Sequence, residues 1–279
     1  LALDGDKQQC RVVSSNAGQC LATGIADAES AKWIARTVMQ DNSYSGWGVR
    51  TLAFSEARFN PMSYHNGSIW PHDNAMIAAG LARYGFKEEA GRILGGLFDA
   101  TLFVEYRLPE LFCGFYRRKG AGPVPYPTAC SPQAWSAASV FLLLQSILGM
   151  SIDAARSRLS FVRPLLPSFL DEVRIQNLRV GAASVDVLIT RRAQYATVQV
   201  ERREGRVEVL TEAQWCASVR RLKRLSVCRC AGLQAGNARK VANQNLQGMA
   251  LAVDFFPRSH SESTEHRHWR APTLHRMKK

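Results

Sequence analysis

Apolar positions follow two different periods along this chain. Ala28, Ala31, Ile34, Ala35 and Val38 recur at three- and four-residue steps, which predicts an amphipathic helix over residues 26–40. Residues 71–84 carry Ala75, Ile77, Ala78, Ala79, Leu81 and Ala82 around most of a helix circumference. That pattern predicts a buried helix, opened by Pro71 and stopped by Gly85. Residues 87–103 show a one-sided helical pattern, and residues 132–148 are nearly all apolar or small. After Ile152 the period drops to two. Segments around Phe161, Val173, Val185, Ala196 and Val207 read as short strands, with Gly181 and Glu204-Gly205 at turns. Residues 1–24 read as turn-rich, with Asn16-Ala17-Gly18 as a turn signal.

The segments between helices are as informative as the helices. Residues 43–67 form a long predicted loop whose Trp47, Phe54, Phe59 and Tyr64 argue against disorder. Residues 104–131 form a second, crowded with Gly, Pro and aromatics. Helices that are buried all round or one-sided, joined by long polar loops, predict two concentric helical layers. The expected organisation is a mainly α region over residues 1–150, a small β-rich region over 151–210 and an irregular basic tail over 211–279. The tail is expected to be disordered or non-native, since neither period holds there.

Charge sharpens this division. The net charge is +13, but residues 211–279 hold 13 of the 36 Lys/Arg and only four of the 23 acidic residues. Residues 1–210 therefore carry a net of only +4, and the body does not read as a nucleic-acid binder. The run Arg220–Arg224 reads as a solvated charge run. The longest apolar run, near residues 140–144, is too short to cross a bilayer, and no signal peptide is read at Leu1. A start without Met suggests a piece of something longer. Seven scattered cysteines lack a disulfide framework, so Cys10, Cys20, Cys113 and Cys130 are expected as buried free thiols in a cytoplasmic protein.

The densest chemistry lies in Tyr64-His-Asn-Gly-Ser-Ile-Trp-Pro-His-Asp-Asn74, which combines aromatics, imidazoles, carboxamides and a carboxylate. A ligand rich in hydroxyls needs this mixture, flat apolar faces beside many donors and acceptors. Plainer readings stand beside it. Asp73 also suits the first turn of a helix, and His65 and His72 also suit structural roles. Their spacing across Gly67 and Pro71 has no metal-ligand logic, and Cys228 and Cys230 lack a paired set, so no metal site is expected. Trp47, Trp70 and Trp135 can all be core; Trp70, flanked by polar residues, is the one expected to present a face to a sugar. Glu110 can be a surface carboxylate paired with Arg107, and Gln133 a polar first-turn residue.

Five segments together resemble the C-terminal part of bacterial amylo-α-1,6-glucosidases of the glycogen-debranching type, which are six-hairpin glycosidases. They are Ser14-Ser-Asn-Ala-Gly18, Ser45-Gly-Trp-Gly-Val-Arg-Thr-Leu52, Asn60–Asn74, Arg107-Leu-Pro-Glu-Leu-Phe112 and Pro132-Gln-Ala-Trp-Ser136. The resemblance runs over residues 3–210. It implies a mainly α fold, the C-terminal part of an (α/α)6 barrel, and inverting hydrolysis of α-glucosidic linkages without metal or organic cofactor. It implies Glu110 as the general base, with Asp73 the runner-up carboxylate. Trp47, Arg50, Tyr64, His65, Trp70, His72, Arg107 and Gln133 are implied to bind an α-glucan or oligosaccharide. Where eukaryotic debranching enzymes carry Glu-Trp, this chain has Ile69-Trp70, which favours Glu110 as the base. The family's acid lies in a Gly-Arg-Asp type motif that this sequence lacks, so the isolated chain is expected to be inactive. Two rival expectations follow: a truncated, non-catalytic carbohydrate-binding protein, and a nucleic-acid binder acting through the tail.

Overall fold

The computed structural model describes residues 3–212 and the backbone of residues 252–257. The chain divides into two compact units, Leu1–Met150 and Ser151–Lys279.

The first unit holds five helices among its described residues: α1 (Asn16–Thr23), α2 (Ala28–Val38), α3 (Pro71–Arg83), α4 (Lys87–Thr101) and α5 (Ala134–Leu148). Helix α3 is central and packs against α1, α4 and α5. Its Ala75, Ile77, Ala78 and Leu81 are wholly buried, as an apolar circumference requires. Helix α2 starts where the Asp27 carboxylate accepts the Ser30 N–H at 2.8 Å, and it buries Ala31, Ile34, Ala35 and Val38. Helix α4 is tied to α5 by Lys87, whose Nζ donates to the Ile147 carbonyl at 3.1 Å.

Three expectations need correction here. The predicted turn at Asn16-Ala17-Gly18 is the first turn of α1. Close packing on α3 overrides the local turn signal: a methyl on Gly18 would lie 2.6 Å from Ile77, and one on Gly80 2.5 Å from the Ala22 nitrogen. Small residues facing each other let the two helices meet nearly backbone to backbone. Helix α5 is not buried all round. It buries Ser136, Ser139, Leu143, Leu144, Ile147 and Leu148, while Trp135 (48 %) and Phe141 (44 %) are about half exposed. Of the four free cysteines described, only Cys113 is buried, and Cys130 lies at the surface.

The long loops are ordered by specific bonds. The Asn74 side chain mimics a strand partner, accepting from Val49 N at 2.6 Å and donating to Val49 O at 3.0 Å. Ile69 and Phe112 exchange backbone bonds of 2.9 and 2.8 Å, which staples the loop before α3 to the loop after α4. Beside that staple Gly67 and Gly114 touch: a methyl on Gly114 would overlap the Gly67 carbonyl oxygen. Trp47, Ile69, Ala100, Leu108 and Phe112 form the core beneath.

The second unit contains two sheets. Strands β1 (Met150–Asp153), β2 (Arg158–Val162) and β6 (Glu208–Glu212) make the smaller one, with β2 and β6 parallel. Strands β3 (Leu170–Val180), β4 (Ala183–Arg191), β5 (Ala196–Glu204) and β7 (Ala252–Pro257) form an antiparallel sheet in the order β5-β4-β3-β7. Alternation puts Val173, Ile175, Val185, Val187 and Ile189 on its buried face. Gly181 (φ 64°) lies in the two-residue turn between β3 and β4, where the sequence placed a turn. A bulge in β3 falls at Asn177 (φ 56°), whose N–H donates to the Asp186 carboxylate at 2.7 Å. Strand β7 corrects the expectation of a wholly irregular tail: six residues of it pair with β3, since a strand needs only an open edge and not a long periodic run. The run Arg220–Arg224 and the cysteines and histidines of the tail lie outside the described residues. No helix among the described residues is long and apolar enough to cross a membrane.

Candidate functional site

Glu110 is placed by its neighbours in the chain. Leu108, Pro109, Leu111 and Phe112 are buried around it, so the carboxylate emerges from a fixed backbone and is itself only 8 % exposed. Its N–H donates to the Cys130 carbonyl at 2.8 Å, and Cys130 N returns a 3.3 Å bond to Oε2. Oε1 accepts the Tyr64 hydroxyl at 2.7 Å. The ion pair with Arg107 that the sequence allowed is not formed; Arg107 is exposed, and Tyr64 and Cys130 hold the carboxylate instead. The bond to Glu110, with burial behind it, pushes the Tyr64 phenol up to about 12.

An aromatic cluster surrounds this pair. The Tyr64 ring meets the edges of His65, Trp70 and Tyr126 at centroid distances of 4.6, 4.8 and 5.6 Å. His65, which is exposed, lies parallel to Trp70 at 5.8 Å. The His72 ring stacks on Trp135 at 4.6 Å and meets Trp70 edge-on at 5.6 Å. Burial holds the His72 imidazole below its ordinary range, against the opposing pull of Asp73 and Glu110. Its Nδ1 is buried without a hydrogen-bond partner among the described residues.

Asp73 sits in the first turn of α3, as its sequence position allowed. Gln19 of α1 donates to its Oδ1, while its Oδ2 is buried without a partner among the described residues. Burial raises the Asp73 carboxyl above its usual range, opposed by bonds from Ser15 and Gln19 and by His72.

The remaining predicted residues divide. Trp70 joins the cluster but is 7 % exposed and gives its indole N–H to the Tyr64 carbonyl and Ser68 Oγ at 3.1 and 2.9 Å. It backs the cluster and presents no open face. Trp135, which the sequence left as a core candidate, is the half-exposed indole here; its position in Pro132-Gln-Ala-Trp-Ser136 was the available signal. Trp47 is core, with the Arg117 guanidinium 4.5 Å over its ring. Arg50 is 1 % exposed and clamps backbone, donating to Gly114 O at 2.7 Å and Asp41 O at 3.1 Å. Gln133 caps α5 without a side-chain cap bond. Sequence reasoning missed Gln19, Tyr126 and Cys130, which reach the site across large sequence separations that no local pattern records. No group of three or more potential metal ligands occurs among the described residues.

Comparison with known proteins gives this geometry a context. Residues 3–110 match the family model described as the mannosylglycerate hydrolase MGH1-like glycoside hydrolase domain, a span that includes block 64–74 and ends at Glu110. The mannosylglycerate hydrolase MGH1 of Selaginella moellendorffii is 32 % identical over 73 residues, 26 % of this chain and 15 % of that protein. Among solved structures, a GH63 mannosylglycerate hydrolase from Thermus thermophilus in complex with Tris is similar at a TM-score of 0.39 and 19 % identity, covering 50 % of this chain and 30 % of that one. The same enzyme in complex with glucose gives 0.39 and 21 %, covering 48 % and 29 %. The chain thus spans about 15 % of the curated relative and about 30 % of the solved ones. These relatives carry the mannosylglycerate hydrolase name and not that of an amylo-α-1,6-glucosidase. At the level the match supports, residues 3–110 resemble a glycoside hydrolase domain of the MGH1-like type.

Proposed function

We propose that the first unit supplies the general-base side of a glycoside hydrolase active site, as the C-terminal part of an (α/α)6 barrel. The observation that carries this reading is the Glu110 carboxylate, fixed through both oxygens by Tyr64 and Cys130 beside a stacked imidazole–indole pair. In inverting hydrolysis such a carboxylate takes a proton from the water that attacks the anomeric carbon. The exposed part of Trp135 offers an apolar surface to a pyranose ring. Nδ1 of His72 and Oδ2 of Asp73 are two polar groups beside it whose valences are still open among the described residues. Protonation of the leaving oxygen needs a second carboxylic acid, and the Gly-Arg-Asp type motif expected to carry it does not occur in this sequence.

The substrate favoured is mannosylglycerate, on the strength of the 32 % identical relative. An α-glucan is the second reading, carried by the order of the five debranching-type motifs. Glycosyl fluorides separate these readings, because fluoride leaves without being protonated and the base side alone suffices. The 279-residue chain is expected to release fluoride from α-mannosyl fluoride, with mannosylglycerate as inhibitor. Preference for α-glucosyl fluoride and inhibition by maltooligosaccharides would favour the glucan. Release from neither, with no quenching of tryptophan fluorescence by either sugar, would remove the hydrolase reading.

A further inference from the structure

We infer that Tyr64 is a positioning residue for the Glu110 carboxylate and not a sugar contact, an assignment that rests on reading Glu110 as the base. Every part of Tyr64 is held for that purpose. Its carbonyl accepts two donors, Ser68 Oγ at 2.6 Å and Trp70 Nε1 at 3.1 Å, which fixes the backbone from which the ring projects. The ring is boxed by the edges of His65, Trp70 and Tyr126. With backbone and ring both fixed, the hydroxyl can aim in only one direction, and it ends 2.7 Å from Glu110 Oε1.

The carboxylate is held from the other side by a different loop. Cys130 N bonds Oε2, and the Cys130 carbonyl takes the Glu110 N–H. The Ile69–Phe112 staple and the Gly67–Gly114 contact then fix the distance between the loops carrying Tyr64 and Glu110. This also explains why the block places Trp70 inside and not at the surface: the indole is the wall against which Tyr64 is set. A base held at two oxygens keeps its carboxylate plane in one orientation, which fixes where an accepted water can sit. The groups that act on the Tyr64 phenol are Glu110, Cys130 and Tyr126. A phenol that keeps its proton up to about 12 remains a donor across the working range.

The test uses the intact chain labelled with 13C at the tyrosine Cζ. Well above the ordinary phenol value of about 10, Tyr64 is expected to remain protonated in the wild type while exposed tyrosines ionise. In Glu110→Gln it is expected to titrate at distinctly lower pH. Tyr64→Phe keeps the boxed ring and removes only the hydroxyl; it is expected to lower kcat for fluoride release roughly 10- to 100-fold with KM within about twofold. An unchanged Tyr64 titration in Glu110→Gln overturns the inference, as does a raised KM at unchanged kcat, which would make Tyr64 a sugar contact. Absence of fluoride release from the wild type counts against the hydrolase reading alone, and the titration then decides the role of Tyr64.

Discussion

Two aspartates, one in each unit, have opposite surroundings. Asp186 on β4 accepts Arg202 Nε at 2.8 Å and the bulged Asn177 N–H at 2.7 Å, and Arg202 also reaches Glu204. Those bonds hold the Asp186 carboxyl below its usual range, with the Arg202 hydrogen bond the largest cause. The same sheet pairs Arg174 with Glu201 and Arg191 with Asp171. Asp73 on α3 has no cationic side chain bonded to it among the described residues, keeps one oxygen unpartnered and is raised by burial. Neighbours that satisfy one another make a structural network, whereas a group left costly and incomplete in a folded protein marks a place shaped for something else. By that criterion the chemistry of this chain belongs to the first unit, and the charges of the β-unit support its sheet.

Substitutions can break or sharpen the contrast. The largest stability effect is expected from Gly114→Ala, which drives a methyl into the Gly67 carbonyl and separates the loops carrying Tyr64 and Glu110. A loss of about 3 kcal/mol should appear in denaturant unfolding of the first unit, and a wild-type midpoint would show that the contact is not a strut. Asp186→Ala comes next. It leaves the Asn177 N–H without its acceptor and Arg202 with only Glu204 and the Asn177 side chain, and is expected to lower stability by about 1–2 kcal/mol while leaving fluoride release unchanged; altered release would blur the division between the units. Its contribution has a definite sign with pH. The folded carboxyl is depressed, so its stabilisation is present above the ordinary value near about 4 and is lost as pH falls through the folded value.

Asp73→Asn is expected to give the smallest effect and the opposite sign. The folded carboxyl is raised, so its ionised form weakens the fold once pH passes about 4, and the penalty grows up to the folded value. The neutral, similarly shaped Asn should therefore stabilise the chain by about 0.5–1 kcal/mol at neutral pH and not in acid. Thermal melts of the two proteins across that range would show it. Equal melting differences at all pH values would mean that burial of the carboxylate is not the cause.

Parts of this arrangement were legible in the sequence for identifiable reasons. Periodicity located α2, α3, α4 and α5 because their buried faces are continuous runs, and Pro71 and Gly85 marked α3 because their backbone preferences are local. Block 64–74 stood out because its polar and aromatic density has no use in plain packing. Helix α1 was not legible, since its Gly18 packs on α3 just as Gly80 of α3 packs on α1, and only that packing reveals why a helix there needs no side chain. The exchange of roles between Trp70 and Trp135 was hidden for a similar reason. Polar neighbours in sequence suggested that Trp70 is exposed, whereas Tyr64, Ser68 and His65 fold back on it. Arg50 looked like a ligand residue, but its Nε and Nη1 are given to carbonyls of two loops.

The central claim is that Glu110 is the base and that the leaving group's acid is a separate requirement. Fluoride release from α-mannosyl fluoride and α-glucosyl fluoride by the wild type and by Glu110→Gln tests it most directly. The account predicts measurable release by the wild type on at least one of the two and a loss of roughly 10²- to 10⁴-fold in the variant, with the melting temperature held. Release that survives the substitution in a folded protein would contradict it.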